Sequence, residues 1–482
     1  MRSFVGRAKE LGSLQAGYER VEQQLGGAKP GRLIMMRGRR RVGKSTLLEE
    51  FIDRVGCPHV FFTSSRQTTR EPSLFAAELA VSSLPGAGVA AGQRPQDWNA
   101  ALELLAAALP DGQASVVVVD EFPYLLEADK SIEAIFQKAW DRQLQRKPVV
   151  LVLVGSDLAM MERLNDVDRA LHQRGTEMVV HALNPRETAQ IIESPTAADA
   201  FDAYLITGGL PLICDEWPSG ASMWDYLTDA LAEPTSALIV SAERSLKAEF
   251  PTEAQAELIL SEIGSGAVTF TNVARAGGGL SQAAVARGLD LLQAKRLVAR
   301  DVPLSTRASK EARYRVADPY LQFWLRFIGP HLPEIERGRG DRVLDRIRRD
   351  WTTWRGRAVE PVVRESLARL LPIDGVPEAD AVGGFWTRTN NPEIDVVGAD
   401  RAPVAKQIAF TGTIKWRDDA PIEQADVAQL IAATAKVPGA DESTPHIAVS
   451  RSGGIVTGVA VVLGPDDLIE AWPPTPERIH RL

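Results

Sequence analysis

In the first part of the chain, short unbroken apolar runs alternate with longer stretches of helical spacing. The runs are Leu33 to Met36, Val60 to Phe62, Val116 to Val119 and Val149 to Val154. A strand that is apolar at every position is covered on both faces, as in a parallel sheet flanked by helices. Between the runs, Ser73 to Leu84, Trp98 to Leu109 and Ser131 to Gln145 read as helices. The pattern predicts an α/β fold. After Asn184-Pro185 the strand signals fade, and short helices follow to Phe250.

From Glu253 the spacing changes again. Glu253 to Gly264 and Asn272 to Ala276 read as helices, and Ser281 is a good N-cap for a third, Gln282 to Ala294. Leu297 to Arg300 and Ala312 to Val316 then read as paired strands. Three helices and a hairpin predict a winged helix-turn-helix. The stretch Glu336 to Asp341 resembles a linker and leads into an Arg-rich helix ending near Arg349. A second α/β unit runs from Trp351 to the end. The predicted units are 1–183, 184–250, 251–330, 331–350 and 351–482.

The length of 482 residues suits about three domains, and 45% hydrophobic residues supply several cores. Two cysteines, Cys57 and Cys214, exclude a disulfide scaffold and a four-cysteine zinc site, and point to a reducing compartment. The start of the chain has no apolar core of signal-peptide length, and the longest apolar runs are strand-sized. The expectation is a cytoplasmic protein with no membrane span. A net charge of −8 excludes a uniformly basic coat and leaves room for a local basic patch. The six histidines show no metal-ligand spacing.

The chemistry begins at Gly38-Arg39-Arg40-Arg41-Val42-Gly43-Lys44-Ser45, followed by Thr46. This is G-x-x-x-x-G-K-[ST] between an apolar strand and a helix. Glycines let backbone N–H groups face a phosphate chain, Lys44 neutralises β/γ oxygens, and Ser45 offers its hydroxyl to Mg²⁺. The helix that starts at Lys44 aims its positive end at the same anion. Val116 to Val119 then ends in Asp120-Glu121. Asp120 is the candidate Mg²⁺ ligand and Glu121 the group that polarises water. The third run ends in Gly155-Ser156-Asp157. Ser156 either senses the γ-phosphate or, as readily, belongs to a turn with a helix N-cap.

Phe4-Val5-Gly6-Arg7 with Glu10-Leu11, the Gly38 to Ser45 loop, Asp120 to Leu125, and Tyr204 to Pro211 together resemble the archaeal-type ATPases of the AAA+/STAND group. The resemblance implies an AAA-type ATPase core, a helical lid, a winged helix and, in some members, a nuclease-like tail. It places the opening box near the adenine, which makes Val5 and Arg7 nucleotide contacts. The family's Leu-Tyr-Gly-Arg segment reads Leu171-His172-Gln173-Arg174 here, so the arginine is kept while its surroundings differ. Arg174 is either a phosphate contact or a surface arginine.

Between residues 287 and 315 stand eight basic residues (Arg287, Lys295, Arg296, Arg300, Arg307, Lys310, Arg313, Arg315) and three acidic ones (Asp290, Asp301, Glu311), a balance of +5. That concentration suits double-stranded DNA and equally a solvated face on a protein-docking winged helix.

The last unit resembles the PD-(D/E)XK nuclease fold. Glu360, Asp395 and Lys415 match its helix acid, strand acid and lysine, while Thr413 stands where the pattern has a carboxylate. Mg²⁺ depends on such carboxylates, so cleavage is expected to be weak or absent. Glu393, two positions before Asp395, shares its strand face. The expected function is an ATP/ADP-binding and ATP-hydrolysing switch that works with Mg²⁺ and acts on DNA or a protein partner. The alternatives are an ATP-gated metal-dependent nuclease and a nucleotide-holding scaffold.

Overall fold

The computed structural model describes residues 4–65, 70–250, 254–266 and 268–472. The chain divides into two compact units, the first ending at Ala182 and the second beginning at Leu183.

The first unit alternates strand and helix: α1 (Ala8–Gln23), β1 (Arg32–Arg37), α2 (Lys44–Val55), β2 (His59–Thr63), α3 (Glu71–Val81), α4 (Trp98–Ala108), β3 (Ser115–Asp120), α5 (Phe122–Ala128), α6 (Ile132–Arg142), β4 (Val149–Gly155), α7 (Leu158–Arg163) and β5 (Thr176–Val179). The five strands form one sheet in the order β2-β3-β4-β1-β5, every pair parallel. Every residue of β3 and β4 is buried, the reason Val116 to Val119 and Val149 to Val154 are apolar at each position. Leu33, Met35, Val117, Val119, Leu151 and Leu153 share one core with Phe75, Trp98 and Phe136. Alternation turns Ile34 and Met36 to the other face, where Gly17 of α1 lies close to the Ile34 side chain.

The consequence for function lies in the strand order. β4 runs between β1 and β3, with Arg37 level with Gly155 and Val119 level with Leu153. The loops that leave the carboxyl ends of β1, β4 and β3 therefore emerge side by side, where open α/β sheets bind ligands.

The second unit opens with helices α8 (Pro185–Ile192), α9 (Ala197–Thr207), α10 (Pro211–Glu216), α11 (Met223–Ala232) and α12 (Ala237–Glu249). Asn184 and Glu187 form a capping box at the start of α8. Then come α13 (Ala254–Ser265), α14 (Phe270–Ala276), α15 (Gln282–Ala294) and an antiparallel pair, β6 (Val298–Asp301) and β7 (Arg313–Val316). Next are α16 (Pro319–Phe323), α17 (Leu332–Glu336), α18 (Gly340–Ala358) and α19 (Glu360–Leu370). The Arg-rich helix expected to end near Arg349 continues to Ala358, so the expected boundary at residue 350 falls inside it. The reason is packing: Val343, Ile347, Trp351 and Arg355 recur every fourth residue and are all buried, one continuous helical stripe.

The chain ends in β8 (Ala381–Trp386), β9 (Glu393–Ala399), β10 (Ile408–Lys415), α20 (Gln424–Thr434), β11 (His446–Ser450), β12 (Val461–Leu463) and α21 (Pro465–Ile469). The sheet order is β12-β11-β10-β9-β8; β8, β9 and β10 are antiparallel, and β11 and β12 are parallel to β10. A buried ionic cluster joins this sheet to the helices. Arg355 of α18, 1% exposed, pairs with Asp202 of α9 at 3.0 Å and with Asp418 after β10 at 2.8 Å. Arg451 after β11 reaches the same two carboxylates at 3.0 and 2.8 Å.

Candidate functional site

The turn after β1 takes an unusual backbone. Gly43 and Arg41 both take positive φ, 84° and 67°. Gly38 has no room for a side chain, because a Cβ there would strike the Val180 carbonyl. Lys44, the first residue of α2, is 7% exposed. Its Nζ donates to the carbonyls of Gly38 at 2.8 Å and Arg39 at 3.1 Å, and to Ser156 Oγ at 3.2 Å. Ser156 Oγ in turn donates to Glu121 Oε1 at 2.9 Å. One hydroxyl at the end of β4 therefore links the lysine of the β1 loop to the glutamate after β3. Beside it, Ser45 Oγ donates to Asp120 Oδ2 at 2.6 Å, and Asp120 Oδ1 accepts from the Glu121 N–H at 2.8 Å. Asp157, rather than Ser156, caps α7 through the Met160 N–H.

Glu121 itself sits at φ 52°. Non-glycine residues in this region store strain and concentrate at functional sites. Ser64, just past β2, holds the strained turn by donating to the carbonyls of Asp120 and Glu121, at 3.0 and 2.6 Å. Arg40 donates to Tyr124 Oη at 2.8 Å, which ties the β1 loop to α5. Sequence reasoning missed Ser64 and Tyr124. The signal for Ser64 was the polar pair Thr63-Ser64 after the apolar run Val60 to Phe62, as Asp120-Glu121 follows Val116 to Val119.

The opening box is placed beside the loop. Arg7, 4% exposed, donates to the Val42 carbonyl at 2.6 Å, and the Phe4 ring lies 5.9 Å from the Arg54 guanidinium of α2. Val5 is half-buried in the same segment, and Thr46 is exposed on the first turn of α2. Arg174 is not brought to this cluster. Its guanidinium is held by Asp141 of α6, at 3.0 and 3.1 Å, and by the carbonyls of Ala170 and His172.

Burial pushes the Lys44 ammonium down to about 8; Glu121 and Asp120 pull it up, and Arg40 pulls it down. A neutral amine has little attraction for phosphate. If nucleotide binds only the protonated lysine, its affinity should be about tenfold weaker at pH 9 than at pH 7. Calorimetric titration at the two pH values checks this, and equal affinities would show that Lys44 does not meet the phosphates.

In the C-terminal sheet, Asp395 and Thr413 lie on neighbouring strands. Thr413 Oγ1 donates to Asp395 Oδ2 at 3.0 Å, as does the Ile414 N–H at 2.8 Å. Glu360 pairs with Arg364 at 2.8 Å, and Arg364 Nε donates to the Asp395 carbonyl at 2.7 Å. Burial pushes the Glu360 carboxyl up to about 7; Arg364 pulls it down, and Asp395 and Glu393 raise it further. Lys415 does not pair with Asp395; its ammonium is 3.3 Å from Asp426 of α20. Among the described residues, no three His, Cys, Asp or Glu side chains come together in a way that could hold a metal ion. The basic residues of 287–315 are partly spent: Arg315 pairs with Asp301 at 2.8 Å, Arg313 with Glu393 at 2.6 Å, and Lys295 lies over Phe250 at 5.6 Å. Arg287 and Arg300 are exposed.

Residues 4–213 match the family described as an ATPase domain predominantly from Archaea, and residues 324–429 match a family described as archaeal and bacterial proteins of unknown function. The chain thus joins an archaeal-type P-loop ATPase domain to a C-terminal domain of that second family. It is 23% identical over 419 residues to an uncharacterized protein of Methanocaldococcus jannaschii, covering 86% of this chain and 88% of that one. Among solved structures it is similar to a Walker-type ATPase of Pyrococcus abyssi, with 18% identity, a TM-score of 0.47, and 67% of this chain and 96% of that one covered. It is also similar to the ORC2 protein of Aeropyrum pernix in ADPNP and ADP complexes, with 13% identity, a TM-score of 0.45, and 72% and 97% covered. Among the described residues, no helix is long and apolar enough to cross a membrane.

Proposed function

We propose that this protein is a switch that binds and hydrolyses ATP and passes its nucleotide state to DNA through helices α13–α15. The observation that carries the ATPase half is the chain Lys44 Nζ, Ser156 Oγ, Glu121 Oε1 beside the Ser45–Asp120 pair. Three strands bring a cation, a hydroxyl and two carboxylates to one edge of the sheet. That is the donor set that phosphoryl transfer to water requires. Lys44 and the N–H groups at the start of α2 hold the phosphates. Glu121 orients a water and accepts its proton on a carboxylate oxygen. Ser156 keeps Glu121 and Lys44 in one hydrogen-bonded line, so a phosphate that draws Lys44 away changes the partners of Glu121.

The Ser45 hydroxyl and the Asp120 carboxylate fit Mg²⁺, which takes one or two protein oxygens and keeps several waters. Held there, Mg²⁺ would neutralise charge on the β- and γ-phosphate oxygens. Val5 and Arg7 belong to this reading as nucleotide contacts, and their place beside Val42 and α2 supports it.

The order of three helices and a hairpin supports a winged helix over 254–316, and the exposed Arg287 and Arg300 supply phosphate contacts. A second reading, in which the output is a protein partner, is favoured by the loss of Arg313 and Arg315 to internal ion pairs. Duplex DNA binding measured across a salt series separates the two. The DNA reading expects affinity to fall steeply, with a log–log slope of roughly −0.9 for each phosphate contact. No binding, or an affinity indifferent to salt, moves the output to a protein.

A further inference from the structure

The hairpin β6–β7 and the loop between its strands lie against the C-terminal sheet. Leu304, in that loop, is 2% exposed and shares an apolar cluster with Phe385, Ile394 and Val397 of the sheet. The backbones are stitched together. The Leu304 N–H donates to the Gly384 carbonyl at 2.9 Å, and the Ala405 N–H donates to the Ser305 carbonyl at 3.0 Å. The approach is close enough that a Cβ on Gly439, which stands at φ 92°, would strike Thr306.

The returning strand adds a charged contact. Arg313 pairs with Glu393 at 2.6 Å, donates to Asn390 Oδ1 at 2.9 Å and stacks 4.4 Å from the Trp386 ring. Trp386 Nε1–H closes the contact on the Glu311 carbonyl at 2.8 Å. Glu393 thus faces an arginine of the hairpin, and Glu360 and the Asp395 carbonyl face Arg364.

We propose that the hairpin is a coupling arm and that the β8–β9 face around Trp386 and Glu393 is its socket, so that α13–α15 and the C-terminal sheet move as one body. In a winged helix that reads DNA, the hairpin is free to lie on the duplex. Here Leu304 of its loop is buried in its own chain and Arg313 of its returning strand is engaged. A socket filled in this way also leaves Glu393 unavailable as a substitute for the carboxylate missing at Thr413. It follows that Arg313 is withheld from any polyanion contact, which falls to exposed cations such as Arg287 of α15 and Arg300 of β6. This last clause rests on the DNA reading above; the coupling arm does not.

Hydrogen exchange on the full chain tests the arm. An exposed ion pair contributes little, but reversing one partner sets like charges together. Arg313→Glu should speed exchange of the Leu304 and Ala405 amides roughly tenfold, and adding Glu393→Arg should bring both back to within about twofold of wild type. Leu304→Ala, which removes the buried side chain, should speed exchange on both sides of the contact without any change of charge. Faster exchange of the hairpin with no change in the sheet would overturn the coupling, as would a double variant that fails to recover. Circular dichroism identifies a variant that has simply unfolded, and the charge swap then decides alone. Duplex DNA titration supplies the second arm. Arg287→Ala should make the salt slope shallower by about 0.9, and Arg313→Ala should leave it unchanged. A slope reduced by Arg313→Ala would overturn the proposal. A wild type that binds no DNA removes the DNA reading, and the exchange result still decides the arm.

Discussion

Lys44→Ala should weaken ATP binding by at least about 100-fold, about 2.7 kcal/mol. The lysine is buried at the mouth of α2 and is the only ammonium in the hydrogen-bonded line that ends at Glu121. Its loss removes a full charge from a site where water screens little, and charge-assisted bonds in such places are the strong ones. The helix start and the backbone N–H groups remain and should give weak residual binding. Fluorescent-nucleotide titration of wild type and variant measures the change. An unchanged affinity would place the nucleotide elsewhere and remove the role assigned to the whole β1 loop.

The second large effect concerns stability. Asp202→Ala should destabilise the second unit by about 3 kcal/mol, because of the two carboxylates that Arg355 and Arg451 share it removes the buried one and leaves the half-exposed Asp418. Asp202→Asn should cost less. Burial pushes the Asp202 carboxyl up to about 6 despite Arg451 and Arg355, so its ionisation is itself unfavourable in the fold. An acid raised from 3.8 to about 6 contributes stability below pH 3.8 that is lost as pH rises through about 6. The amide avoids that loss and still accepts a hydrogen bond. Denaturant unfolding of the three proteins at pH 7 gives the comparison. Equal stability of Asp202→Ala and wild type would mean that the cluster holds nothing together.

The central strands were legible because parallel strands covered on both faces run apolar through their interiors, as Val116 to Val119 of β3 and Val149 to Val154 of β4 do. β5 was not. It is four residues long with Thr176 and Glu177 exposed at an edge, and such a strand shows neither an apolar run nor a clean alternation. The site's residue types were legible for the same reason as its motif: phosphate chemistry demands them at fixed spacing. Their connection through Ser156 was not, since it depends on β4 lying between β1 and β3, which no local spacing encodes. α18 hid its second half because a buried Arg355 takes a position where an apolar residue would have continued the stripe. The contact of Arg313 with Glu393 crosses 80 residues and two exposed polar side chains, the kind of pairing that only the fold can make. Arg174 shows the opposite risk, an arginine that keeps a motif position while Asp141 holds it elsewhere.

The most direct test of the account is steady-state ATP hydrolysis by wild type and Glu121→Gln, with ATP binding measured in parallel. The amide keeps the size of Glu121 but cannot accept the proton of the attacking water. Measurable turnover is expected in the wild type and a fall of about 100-fold or more in the variant, with ATP affinity preserved. Equal turnover in the two proteins, or a wild type that binds ATP and never hydrolyses it, would contradict the role given to Glu121 and leave a protein that only holds its nucleotide.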